Sequence, residues 1–290
     1  MAGARTLSTQ HFPAPAKLNL FLHVTGRRSD GYHLLQTVFR FIDYGDTVSV
    51  SPRADGQIVL LNPLPAVPPE KDLCYRAARL LQSATGTSQG VDIKLEKRLP
   101  LGGGLGGGSS DAATTLLALN KLWGIGLSRS ALMELGVQLG ADVPVFVFGQ
   151  NAWAEGVGEK LTPIALPPAW YVVLIPPLSV QTAEVFAAPE LTRNTLPVTM
   201  SAFSGGGSAG QFHNDLEPVV SARYPAVAQH LKWLRQYGDA RMTGSGACVF
   251  AAFSTEFEAR DVLARKTAEM QGFVAQGLEQ HPLYVGYDLL

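Results

Sequence analysis

Along residues 15–24 apolar and polar positions alternate. Ala16, Leu18, Leu20, Leu22 and Val24 point one way, and Lys17, Asn19, Phe21 and His23 the other. A period of two puts successive side chains on opposite faces of a strand. The stretch therefore predicts a strand with one core face and one face that carries an ammonium beside an amide. Residues 25–31 form a polar turn closed by Asp30-Gly31. The apolar run 34–42 predicts a second strand opened by Tyr32-His33, and 46–50 and 57–61 predict two more. Four prolines make 62–69 a loop. Asp72 caps a helix over 73–83 that Gly86 stops. Residues 91–98 alternate apolar and charged, as a half-exposed antiparallel strand does. The run 112–123 is apolar on nearly every side, which predicts a helix inside the first domain. Ser128 caps another over 129–139.

A hairpin over 153–164 leads to Leu166-Pro-Pro-Ala-Trp170, which marks a boundary between domains at 1–165 and 166–290. Beyond it, strands at 171–175, 240–242, 248–253 and 272–279 interleave with helices at 225–237 and 255–270. That β-α-β-β-α-β order is the split βαβ, ferredoxin-like arrangement, so the fold class is α+β. Residues 176–190 and 201–210 read as loops, the second rich in Ser and Gly.

The densest chemistry lies between the charged strand and the apolar helix, in Leu99-Pro-Leu-Gly-Gly-Gly-Leu-Gly-Gly-Gly-Ser-Ser-Asp111. Glycine lets a backbone take φ > 0 and approach a ligand without a Cβ in the way. The helix that follows offers unpaired N–H groups and a positive dipole end, which suits a polyphosphate. Two familiar phosphate loops fail. Gly103 and Gly108 have the P-loop spacing, but Ser109 stands where its lysine belongs. Gly102, Gly104 and Gly107 match a dinucleotide fingerprint, yet no buried parallel strand precedes them and no acidic residue ends a second strand at the required distance. A lysine-free loop needs a metal ion and residues elsewhere to offset phosphate charge. Ser109 and Ser110 are candidates for the metal shell or for capping the helix. In Gly140-Ala-Asp-Val-Pro144, Asp142 either caps a helix or is a carboxylate held at a site; an N-cap position suits both.

Composition narrows the setting. The 290 residues carry a net charge of −1, a near balance that does not favour nucleic acid or an anionic membrane as a partner. Cys74 and Cys248 are too few for a disulfide framework and sit in apolar sequence, so both are expected reduced and buried. No apolar run reaches membrane-spanning length, and the first dozen residues lack the apolar core of a signal peptide. A cytoplasmic protein is expected.

Three ordered stretches, 15–20, 100–110 and 242–250, resemble the three motifs of the GHMP kinases, the galactokinase, homoserine, mevalonate and phosphomevalonate kinase superfamily. Gly26-Arg-Arg-Ser-Asp-Gly-Tyr-His33, Leu139-Gly-Ala-Asp-Val-Pro144 and Asn214-Asp-Leu-Glu-Pro218 are similar to those of one family within it, which phosphorylates a cytidine-diphosphate-linked methylerythritol. The likeness spans nearly the whole chain, with the N-terminal dozen residues extra. It implies a two-domain GHMP kinase fold, with a ribosomal-S5-like α/β domain followed by the ferredoxin-like one. It implies phosphoryl transfer from ATP, with Mg²⁺, to the 2-hydroxyl of the methylerythritol, a step of the non-mevalonate route to isoprenoids. Asp142 would take the hydroxyl proton, with Lys17 as its electrostatic partner. Asn19 and Thr182 would bind substrate, Tyr32 and Phe186 would sandwich the cytosine, and His33 would read its polar edge. Pro100, Leu101, Gly102, Gly103, Gly104, Leu105, Gly106, Gly107, Gly108, Ser109 and Ser110 would hold the ATP phosphates, faced by Gly244, Ser245 and Gly246. Ser109 would also reach the metal, and Asp72-Leu73 with residues 97–100 would meet the adenine. The resemblance leaves a homodimer open. Two rival readings remain: another kinase of the superfamily acting on mevalonate or homoserine, and a non-catalytic nucleotide-binding module.

Overall fold

The computed structural model describes residues 8–65, 67–206 and 210–287. The chain opens with two long paired strands, β1 (Gln10–Arg27) and β2 (His33–Arg53). Two separate strands were expected at 34–42 and 46–50, but β2 is continuous through both. The two strands change register between Pro15, opposite Gly45, and Ala16, opposite Ile42, which leaves residues 43 and 44 as a bulge. Gly45 permits it: a Cβ there would stand 2.2 Å from the carbonyl oxygen of Ala14. The short β3 (Ile58–Leu60) follows, then α1 (Leu73–Thr85), β4 (Gly90–Glu96), α2 (Gly107–Leu122), α3 (Arg129–Val137) and α4 (Val143–Phe148). Asp72 caps α1 by accepting from the amides of Cys74 and Tyr75, and Ser128 caps α3. β5 (Ala152–Glu155) and β6 (Lys160–Pro163) complete a sheet of order β3-β4-β2-β5-β6, with β1 on β2. As its composition requires, α2 is buried at every position from Ser110 to Asn120.

The segment 164–169 is irregular and leads into β7 (Trp170–Ile175). The expected loop at 176–190 contains a short helix, α5 (Thr182–Ala187), and the expected Ser/Gly loop begins as α6 (Met200–Ser204), capped by Thr199. Residues 207–209 of that loop lie outside the described residues. The expected helix at 225–237 is α8 (Pro225–Leu234), and a further helix that was not expected, α7 (Glu217–Arg223), precedes it. Pro225 has no N–H to continue α7 and pushes Tyr224 out of helical geometry, to φ −124° and ψ 89°. β8 (Arg241–Met242), β9 (Val249–Phe253), α9 (Glu256–Ala264), β10 (Gln271–Gln276) and a terminal α10 (Leu283–Gly286) follow. The second sheet is antiparallel, in the order β10-β7-β9-β8 that a split βαβ unit requires. No helix among the described residues is long and apolar enough to cross a membrane.

Both faces of β7 are covered. Val172 and Leu174 pack under α8 and α9. Tyr171 and Val173, with Phe250 and Phe273, pack against Ala16, Leu18, Ile42, Leu99 just before the glycine run and Leu105 in its middle. β1 threads every core cluster: Phe12 and Ala14 lie in the first, Leu22 and Val24 in the second, Ala16 and Leu18 in the third, Phe21 in the fourth. Its expected polar face is therefore not solvated, and Lys17, Asn19 and His23 are all buried.

Candidate active site

A cleft of about 950 Å³ runs between the two halves. Its floor is the glycine loop. Gly102, Gly104 and Gly106 take φ of 66°, 75° and 72°, and the segment lies flat on residues 243–247. The amides of Ala247 and Cys248 donate to the carbonyls of Gly102 and Gly103 at 3.2 and 3.1 Å. The Thr243 hydroxyl donates to the Gly104 carbonyl at 3.3 Å. At Gly104 a Cβ would sit 2.1 Å from the Thr243 carbonyl oxygen, so only glycine allows this approach. Gly106 is the N-cap of α2 and supplies no side-chain cap. Neither Ser109 nor Ser110 caps the helix, and its first-turn amides stay available to an anion.

Pro100 to Ser109 all line the cleft, as do Gly244, Ser245 and Gly246. Ser110 does not, which corrects its expected place among the phosphate contacts. One residue on along a helix is a rotation of about 100°, and it carries Ser110 into the core, where its hydroxyl is buried without a partner. Leu73 lines the cleft, whereas the Asp72 carboxylate is engaged in capping α1.

β1 brings Lys17 to the mouth of this floor. Its ammonium donates to Asn19 Oδ1 at 2.5 Å and to the Gly104 carbonyl at 3.0 Å. It lies 3.3 Å from Asp142 Oδ2. Asn19 is fixed in turn, donating from Nδ2 to the Thr37 hydroxyl at 2.9 Å. Asp142 occupies the N-cap position of α4 but makes no capping bond. Pro144 has no N–H to offer, and the Val143 amide already donates to Gly140. The carboxylate is thereby left for Lys17, and its side chain remains 37% exposed on the cleft side of a 2%-exposed lysine. The capping alternative is excluded by this geometry.

The far end of the cleft holds Tyr32, His33, Thr182 and Phe186. The His33 and Phe186 rings stand 5.0 Å apart at 30°, while Tyr32 is 63% exposed. The Thr182 and Ser245 hydroxyls share a hydrogen bond of 2.6 Å.

Sequence reading missed three supports. Asn214 donates from Nδ2 to the carbonyls of Met242 and Gly244, both at 2.8 Å, and so shapes the 243–247 turn. Asp46 accepts from the amides of Arg98 and Leu99, and its carboxylate pairs with the Lys97 ammonium, which also pairs with Asp111 at 2.8 Å. This buried group ties β2 to both ends of the glycine loop. Burial opposes the Lys97 charge, but the two carboxylates outweigh it and its pKa is raised. Arg193 donates to the His33 ring. No local spacing announces any of these contacts, because each partner is distant in the chain.

Models of the GHMP kinases N terminal domain and the GHMP kinases C terminal domain match residues 72–150 and 201–270. The chain is 64% identical over 275 residues to the 4-diphosphocytidyl-2-C-methyl-D-erythritol kinase of Nitrosospira multiformis, covering 94% of this chain and 92% of that protein. It is also 64% identical over 276 residues to that of Thiobacillus denitrificans, covering 95% and 98%. A crystal structure of 4-(cytidine 5'-diphospho)-2C-methyl-D-erythritol kinase superposes with a TM-score of 0.79 at 36% identity, covering 92% of this chain and 99% of the other. A homoserine kinase from Cytophaga hutchinsonii shares the fold, with a TM-score of 0.68 at 18% identity over 97% of each chain.

Proposed function

Because the chain belongs to the GHMP kinases, and within them to the 4-diphosphocytidyl-2-C-methyl-D-erythritol kinase family, we propose that it transfers the γ-phosphoryl of ATP to the 2-hydroxyl of 4-diphosphocytidyl-2-C-methyl-D-erythritol. The observation that carries this reading is the Lys17–Asp142 pair at the mouth of the glycine cradle, 3.3 Å apart in a cleft that continues to Tyr32, His33 and Phe186. Phosphoryl transfer asks a protein for in-line positioning and charge stabilisation more than for covalent chemistry.

The first-turn amides of α2 and the open loop of glycines bind the phosphate tail. Asp142 accepts a hydrogen bond from the acceptor hydroxyl and takes its proton as the new O–P bond forms and the bond to the ADP oxygen breaks. Lys17, held by Asn19 and the Gly104 carbonyl, faces the Asp142 carboxylate and offsets charge on the moving phosphoryl group. Tyr32 and Phe186 enclose the cytosine; stacking of this kind supplies about 1–3 kcal/mol per base. Kinases acting on acceptors as small as mevalonate or homoserine need no such ring-lined end, which favours the cytidine substrate over them.

Among the described residues no cluster of three or more His, Cys, Asp or Glu could hold a metal. Magnesium fits all the same, since it is commonly held by one or two protein oxygens and the substrate's own phosphates. The Ser109 hydroxyl on the first turn of α2 would be such an oxygen. Bound there, Mg²⁺ would neutralise charge on the β- and γ-phosphates. A cytoplasmic setting fits two free, buried cysteines; burial pushes the Cys248 thiol up to about 12 and Cys74 well above its ordinary value.

The test is an ATP-consumption assay that compares the cytidine diphosphate substrate with mevalonate, homoserine and galactose. Only the first should be turned over. Asp142→Asn and Lys17→Ala should each lower turnover roughly 100-fold or more while ATP still binds. Near-normal turnover in either would reject its assigned role, and a non-catalytic nucleotide-binding module would show no activity to lose.

A further inference from the structure

Arg193 lies on the irregular segment between α5 and α6. Its guanidinium is spent on one small region. Nη2 donates to the carbonyls of Phe186 and Ala188 at 3.0 and 2.6 Å, and Nη1 to that of Leu191 at 3.0 Å. Nε donates to His33 Nε2 at 3.1 Å. One side chain therefore holds both the backbone of Phe186 and the ring that stands 5.0 Å from it.

The bond to His33 fixes a proton. Arginine at any ordinary pH is a donor and nothing else, so His33 Nε2 has to be the acceptor. The ring is then neutral and its single proton sits on Nδ1. Burial, then the charges of Arg193 and Arg27, lower the His33 pKa and keep it in that neutral form.

Resting on the cytidine reading above, we infer that Arg193 is a specificity-determining positioning residue, which locks His33 as an Nδ1–H donor so that the outer pocket accepts cytosine and rejects uracil. The two bases differ along one edge. Cytosine presents the N3 lone pair beside a 4-amino donor, and uracil presents N3–H beside the O4 acceptor. Set against N3, an Nδ1–H group meets an acceptor in the first and another donor in the second. Facing donors leave a half-buried polar group unpaired, the kind of mismatch by which sites reject an isosteric ligand. A histidine free to change tautomer would serve either base, because each ring nitrogen donates in one form and accepts in the other.

The proposal is read in two ways. In protein labelled with ¹⁵N-histidine, with the His33 signals identified by their loss in His33→Gln, the wild type should show a protonated Nδ1 and an unprotonated Nε2. The reverse tautomer, an even mixture or an imidazolium near neutral pH overturns the lock. This measurement needs no substrate, so it decides the tautomer even if the wild type ignores the cytidine compound, an outcome that would instead sink the kinase reading. The second readout is the ratio of kcat/KM for the cytidine substrate to that for its uridine counterpart. Arg193→Met should lower this ratio roughly tenfold or more, chiefly through KM. If Arg193 merely braces the 186–191 segment, the variant will weaken both substrates alike and leave the ratio unchanged, which overturns the specificity role.

Discussion

Burial pushes the Asp111 carboxyl up to about 7; Lys97 acts to lower it and Asp46 adds to the rise. An unfolded aspartate titrates near 4. Between about pH 4 and about pH 7 the folded protein thus binds more protons at this site than the unfolded chain. Stability falls as pH rises through that window, with a slope of at most about 1.4 kcal/mol per pH unit. Asp55, with its pKa lowered to about 2 by hydrogen bonds from Arg53 and the Gln57 amide, acts in the opposite sense at lower pH. The comparison is therefore between wild type and Asp111→Asn in urea unfolding. The stability difference, wild type minus variant, should decline across the window, and a flat difference would show that Asp111 does not titrate there. Single residues were the least legible level of the chain. Alternation along β1 put Lys17 and Asn19 on one face, but the Gly104 carbonyl and Asp142 that bury and engage the ammonium belong to segments far along the sequence. Asp46 and Arg193 carried no local signal at all.

Elements were far more legible, since strand alternation, caps and glycine stops are local. One departure has a local cause too: a glycine that lets β2 run through a bulge. The glycine loop shows why residue type alone understates a site. Gly86 and Gly104 both have positive φ, of 68° and 75°. A Cβ on Gly86 would meet nothing within 4 Å, while one on Gly104 would strike the Thr243 carbonyl. Gly86→Ala should cost about 1–2 kcal/mol of backbone strain and leave turnover intact. Gly104→Ala must also part the loop from residues 243–247 and move the carbonyl that Lys17 holds. Its stability loss should exceed that of Gly86→Ala, and its KM for ATP should rise by roughly tenfold or more. Equal behaviour of the two variants in thermal melts and initial-rate assays would mean that the loop does not depend on its seat.

At the scale of the whole molecule, the proline step near Leu166 interrupts the chain but not the packing. Leu22 and Val24 of β1 lie in the core under α8, and Leu283, fully buried, lies in the first core with α2 and α4. Residue 277 bridges to Ile42, residue 280 to Gln150, and the Asn151 side chain donates to the Leu278 carbonyl at 2.8 Å. Composition marks where a chain is irregular; it does not report that a strand from one half completes the core of the other, and this long-range pairing was the part of the fold hidden from the sequence. Such interleaving couples the halves, because neither core closes without residues from both. Leu283→Ala should therefore cost about 2–5 kcal/mol and shift a single unfolding transition, seen together by tryptophan fluorescence and far-UV circular dichroism and with equal calorimetric and van't Hoff enthalpies. Two separated transitions, with only the lower one moved by the variant, would mean that the halves hold themselves together independently.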